Sequence, residues 1–213
     1  MKLTKLGFLA SGRGSNMQSI IDACKNGRLN AQPVVVISNN AGSMALERAQ
    51  AEHIPAFHLS SKLFTDADEL DQHITEALMQ HGTELVILAG YMKKLGPRTL
   101  AAYAGCIINV HPALLPKFGG PGMYGENIHR AVLAAGESET GVTIHVVEGE
   151  YDSGPVLAQR RIKVEPADTV ESLAARVLAV EHELYVDTIG AILEGKVKLP
   201  KKRSPFSVHG SKE

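Results

Sequence analysis

Ile107-Ile108-Asn109-Val110-His111-Pro112-Ala113-Leu114-Leu115-Pro116 decides how this chain folds. Its first residues are apolar at successive positions. A strand of that kind is buried on both faces, as in a parallel sheet covered by helices on either side. Val34–Ser38 and Leu85–Ala89 have the same aliphatic character. Pro112 and Pro116 stop the strand and stiffen the turn after it. Side chains alternate along a strand, so Asn109 and His111 point to the same side. A neutral amide donor and a titratable imidazole then share one patch at a strand's carboxyl end. Acyl transfer needs that pairing: a donor for a developing oxyanion beside a group that moves a proton. Taken alone, an Asn-x-His is more often a cap for loop carbonyls than a site.

Outward from this stretch, short apolar runs alternate with helical patterns. Strands are expected at Leu6–Ala10, Val34–Ser38, Ala56–Leu59, Leu85–Ala89 and Ile107–Val110. Helices are expected at about Ser15–Asn26, Ala41–Glu52 and Asp66–His81, and one from Pro97, a residue suited to a first helical turn. After a helix near Asn127–Ala135 the rhythm changes. Thr140–Val147 and Val156–Val164 read as an antiparallel hairpin, followed by a helix from Thr169 to Leu193 with Thr169 or Asp168 as N-cap. The fold class is α/β: Rossmann-like, a mostly parallel twisted sheet with helices on both faces and an antiparallel hairpin at the C-terminal edge. One domain is expected over 1–196, with a phosphate-binding half at about 1–105 and a catalytic half at about 106–196. A tail over 197–213 carries Lys201, Lys202 and Arg203. Ligands belong beyond the carboxyl ends of the parallel strands.

Composition excludes several classes. The chain has 213 residues, 44% hydrophobic and 21% charged, with net charge −1, so nothing biases the whole molecule toward nucleic acid or an acidic membrane. Cys24 and Cys106 have no metal or redox spacing and suit reduced thiols in a cytoplasmic protein. The nine histidines form no metal-ligand pattern, so no metal is expected. Neither a Gly-x-Ser-x-Gly elbow nor a membrane-length apolar run is present.

Two further segments carry chemistry. Ser11-Gly12-Arg13-Gly14-Ser15-Asn16-Met17-Gln18 follows the first strand and opens the first helix. Glycines there permit a tight turn, and the helix N-terminus favours a phosphate. Met17 replaces the third glycine of a dinucleotide fingerprint, and no Gly-Lys-Ser/Thr follows, so a single phosphate fits better than NAD. Gly149-Glu150-Tyr151-Asp152-Ser153-Gly154-Pro155 places a carboxylate on a rigid loop between the hairpin strands. From there Asp152 can reach His111, orient it and favour its protonated form.

Gly12-Arg13-Gly14-Ser15-Asn16, Ala89-Gly90-Tyr91-Met92, Asn109-Val110-His111-Pro112 and Asp152-Ser153-Gly154-Pro155 occur together in this order. In these the chain resembles the phosphoribosylglycinamide formyltransferases over roughly Leu3 to Gly195. The last two motifs mark the wider formyltetrahydrofolate-dependent superfamily, and the Gly-Ser-Asn loop points to this branch of it. The resemblance implies formyl transfer from 10-formyltetrahydrofolate, as co-substrate, to the amine of glycinamide ribonucleotide. It assigns catalysis to Asn109, His111 and Asp152. Gly14, Ser15, Asn16, Met17, Gln18 and Glu181 match the ribonucleotide segment. Met92, Lys93, Lys94 and Leu95, with Asn109, match the folate pocket. Glu148–Asp152 is expected to close over the pterin, and Thr143 and His145 to stand as neighbours behind the catalytic group. The aligned position of a folate-tail arginine is Ala67, with Lys62 or Lys93 as substitutes. Gly119–Asn127 is longer than in some relatives and reads equally as a mobile loop beside the substrate or a surface excursion. The implied partners are small molecules, not nucleic acid or membrane, and a homodimer is compatible with them.

Overall fold

A computed structural model describes residues 2–200. Five strands run parallel: β1 (Thr4–Ala10), β2 (Ala31–Ser38), β3 (Ala56–His58), β4 (Leu85–Leu88) and β5 (Ile107–His111). β6 (Glu139–Val146) lies antiparallel to β5, and β7 (Val156–Lys163) antiparallel to β6. One seven-stranded sheet results, in the order β3-β2-β1-β4-β5-β6-β7. The helices are α1 (Ser15–Lys25), α2 (Met44–Ala51), α3 (Ala67–Gln80), α4 (Pro97–Ala102), α5 (Glu126–Ala134) and α6 (Val170–Leu193).

The unbroken aliphatic runs are explained by two cores. Leu6, Phe8, Ala10, Val36, Ile87 and Ile108 pack with residues of α1, α2, α5 and α6. Their strand neighbours Leu9, Val35, Ile37, Val86, Leu88 and Ile107 pack with α3 and the end of α4. Every second side chain serves one layer, so both faces must be apolar. Strand β2 begins three residues earlier than its aliphatic run. Pro33 hid that start: it has no N–H to donate, and the β1–β2 register slips beside it, from Leu6↔Pro33 to Gly7↔Val35.

Helix α6 ties the sheet to the site. Thr169 and Ser172 form a capping box at its start. Fully buried Tyr185 extends its hydroxyl between the Leu88 carbonyl at 3.1 Å and the Ile108 carbonyl at 2.9 Å, at the carboxyl end of β4 and near the start of β5. Beyond the helix the chain stays on the body further than residue 196: Leu199 packs against the main core. Lys201, Lys202 and Arg203 lie outside the described residues. Among the described residues no helix is long and apolar enough to cross a membrane.

Candidate active site

Chain order reverses between β1 and β4, because β2 and β3 continue to one side and β5 to the other. At such a switch the loops leaving adjacent strands part and leave a crevice. Two contacts fasten its rim: Ser11 N–H donates to the Gly90 carbonyl at 3.0 Å, and Met92 N–H to Ser11 Oγ at 2.8 Å. The crevice is a cavity of about 620 Å³, lined by Met92, Lys93, Lys94 and Leu95 from the β4 loop. Lys93 therefore stands where a folate tail could meet a cation, whereas Lys62 and Ala67 are not among the lining residues.

The first loop makes an anion site from backbone. Gly14 is left-handed (φ 66°), and a Cβ there would lie 2.9 Å from the Ala45 side chain, so only glycine fits. No side chain caps α1, unlike α2, α3 and α6, which Ser43, Asp66 and Thr169 cap. Its first amides, from Ser15 onward, and its dipole remain available to a phosphate. Asn16, buried beside them, donates from Nδ2 to Glu181 Oε2 at 2.6 Å, while its Oδ1 has no partner. Burial pushes the Glu181 carboxyl up to about 7, against the Asn16 hydrogen bond and the charge of His111. Met17 and Gln18 turn their side chains away from the cavity. The Met17 side chain is wholly core, so only its backbone can serve a ligand. The Gln18 amide is engaged by Asp22, Glu52 and Arg48, and its side chain does not line the cavity.

Asn109, His111 and Asp152 meet on the same cavity. His111 Nδ1 lies 3.4 Å from Asp152 Oδ1, and Nε2 lies 2.8 Å from the Phe118 carbonyl. Both ring nitrogens thus face acceptors, an arrangement that the doubly protonated ring satisfies. Burial alone would raise the Asp152 carboxyl. The His111 ring and the Gly120 N–H, at 2.9 Å from Oδ2, outweigh it and hold the group well below the usual carboxylate range. Asp152 itself sits at φ 53°, a backbone region sparsely used by non-glycine residues.

The structure adds His145 to this group. Its Nδ1 lies 3.0 Å from the Val146 carbonyl, an acceptor only, which fixes the ring proton there. Nε2, 3.1 Å from Asn109 Nδ2, then accepts from the amide and leaves that amide's second N–H for the cavity. The sequence signal was the register: β5 and β6 pair antiparallel with Asn109 opposite His145 and His111 opposite Thr143. Thr143 accepts from Leu115 N–H at 3.1 Å and donates to the Ala113 carbonyl at 2.7 Å, bracing the turn after β5. A register shift on β6 between Ile144 and His145 re-aims the strand at this point. Gly120 to Glu126 also line the cavity, so the glycine-rich segment is a wall of the site and not a surface excursion. Arg13 lines it too, an exposed cation with no ion-pair partner among the described residues, and residue-type reasoning passed it over. No group of three metal-ligating side chains occurs among the described residues.

Comparison with known proteins defines the class. A family model described as formyl transferase matches residues 4–189, and the chain belongs to this family. Among its relatives, the phosphoribosylglycinamide formyltransferase of Haemophilus influenzae is 37% identical over 197 residues, covering 92% of this chain and 91% of that one. A chloroplastic phosphoribosylglycinamide formyltransferase of Arabidopsis thaliana is 40% identical over 195 residues, covering 91% of this chain and 67% of that one. The solved structure of glycinamide ribonucleotide transformylase 1 from Symbiobacterium toebii matches with a TM-score of 0.87 at 36% identity, covering 94% of this chain and 92% of that one.

Proposed function

We propose that this protein transfers the formyl group of 10-formyltetrahydrofolate to the amine of N1-(5-phospho-D-ribosyl)glycinamide, in the de novo route to purines. One observation carries the reading: an amide, an imidazole and a carboxylate converge on a cavity that also meets an uncapped helix N-terminus. Gly14, Ser15 and Asn16 receive the phosphate, and Glu181 accepts from ribose hydroxyls. Met92, Lys93, Lys94 and Leu95 hold the folate. The 148–152 loop flanks it, with Lys94 Nζ 3.2 Å from Glu150 Oε1 and 6.0 Å from the Tyr151 ring centre across the mouth.

The amine attacks the formyl carbon directly. Its nitrogen bonds to that carbon, the carbonyl oxygen takes up negative charge, and the bond from carbon to folate N10 then breaks. Asn109 donates its second N–H to the oxyanion. His111, anchored through Nε2–H on the Phe118 carbonyl, shares its Nδ1–H between Asp152 and the same oxygen. Asp152 stabilises the imidazolium and, through water, helps carry the proton from the attacking nitrogen to the departing one. The products are the N-formyl ribonucleotide and tetrahydrofolate. Cytoplasmic residence fits the spacing of Cys24 and Cys106, and sedimentation velocity would show whether two copies pair.

A coupled absorbance assay of folate deformylation tests this reading. Turnover should depend on added glycinamide ribonucleotide and yield its N-formyl derivative. Equal turnover with water alone would show a hydrolase instead.

A further inference from the structure

His129 is a buried imidazole for which the mechanism has no use. It sits on α5, just after the glycine-rich wall, and is 5% exposed. Its Nδ1 is sealed from solvent without a hydrogen-bond partner, and no other hydrogen bond to the ring occurs among the described residues. Yet the residue lines the active-site cavity. Burial lowers its proton affinity, with Glu126 opposing weakly, so the ring is neutral near pH 7. A neutral imidazole carries one N–H and one lone pair. A sealed N–H without an acceptor costs more than a sealed lone pair. The proton therefore belongs on Nε2, the nitrogen left to the cavity.

The neighbourhood says what that donor meets. Helix α5 packs against α6, whose cavity-lining residues Ala174, Leu178 and Glu181 recur at helical spacing on one face. Glu181 and Asn16, joined at 2.6 Å, mark this as the ribonucleotide end. Glu181 is an acceptor and suits hydroxyls. What an N–H donor adds is a partner for anionic oxygen.

We propose that His129 is a further substrate-binding residue, donating from Nε2 to the phosphate of the ribonucleotide and so setting specificity for a phosphorylated acceptor. The proposal rests on the formyl-transfer reading for the substrate's identity, but its geometry stands on the cavity alone.

The test compares wild-type protein with His129→Ala and His129→Gln, whose amide nitrogen can take the place of Nε2. Steady-state constants are measured for both substrates, and binding of ribose 5-phosphate is followed by calorimetry. Loss of a hydrogen bond to a charged group should raise KM for the ribonucleotide and Kd for ribose 5-phosphate about 10-fold or more in His129→Ala. The folate KM should stay unchanged and kcat stay within about threefold. His129→Gln should recover most of the loss. Unchanged ribose 5-phosphate affinity in His129→Ala would overturn the proposal. So would a general defect, with kcat and melting temperature lowered and both KM values raised together, which marks a packing role. If wild-type protein fails to formylate the ribonucleotide while ribose 5-phosphate affinity still depends on His129, the formyl-transfer reading falls and the phosphate contact stands.

Discussion

Asn109 has two N–H bonds, and the site divides them between support and chemistry. One is spent on His145 at 3.1 Å, which fixes the amide plane. The other is left for the cavity, where the proposed reaction places its oxyanion. Removing one oxyanion donor typically costs ~10²–10³ in turnover. Asn109→Ala and His111→Ala should each lose at least that in kcat, with ribonucleotide affinity changed by less than about threefold, as steady-state kinetics and calorimetry would show. Glu181 makes a pH prediction at the same scale. Burial moves its carboxyl from 4.5 in the unfolded chain to about 7 in the folded one. Between those values the folded state holds more protons than the unfolded, so this group's contribution to stability declines as pH rises through the window. The ionised form, which the proposed ribose contact requires, predominates only above about 7. Ribonucleotide affinity should therefore tighten as pH rises through about 7, and Glu181→Gln should remove that inflection from a plot of Kd against pH.

At the scale of elements, the site depends on two strands and the loop between β6 and β7. Gly154 holds that loop in place: a Cβ there would lie 1.9 Å from the Val146 carbonyl, so any side chain must push the loop off β6. Gly154→Ala should displace Asp152 and lower kcat at least about 10-fold in steady-state assays, alongside a stability loss of about 1–3 kcal/mol in denaturant unfolding. Thr169→Ala, which opens the capping box of α6, should cost about 1 kcal/mol in denaturant unfolding with kcat unchanged. The elements themselves were legible in the sequence because aliphatic runs and helical periodicity are local signals. What was not legible depended on pairing. Pro33 masked the start of β2 because the irregular register that tolerates it is set by β1. The partnership of Asn109 with His145 needed the β5–β6 register, although both residues were visible as candidates. Met17 and Gln18 share a motif with Asn16, but successive helix positions point to different sides, so the segment divides among core, cavity and surface.

For the whole molecule, the sheet order places three loops from one edge around a single cavity, and α6 crosses back from the other end of the chain to add Glu181. Folding and substrate binding are therefore linked. A ligand at about 100 times its Kd stabilises the native state by about 2.7 kcal/mol. Glucose 6-phosphate, with the wrong sugar, should have little effect, whereas the ribonucleotide at that excess should raise Tm by about 5–10 °C in a thermal scan. The most direct trial is a crystal structure with the ribonucleotide and a non-reactive folate bound together. The phosphate should rest on the amides that open α1, and the carbon standing for the formyl group should lie about 3–3.5 Å from the glycinamide nitrogen, with Asn109 and His111 turned to its oxygen. A phosphate bound away from α1, or that carbon far from both side chains, would show that the convergence of these residues serves some other chemistry.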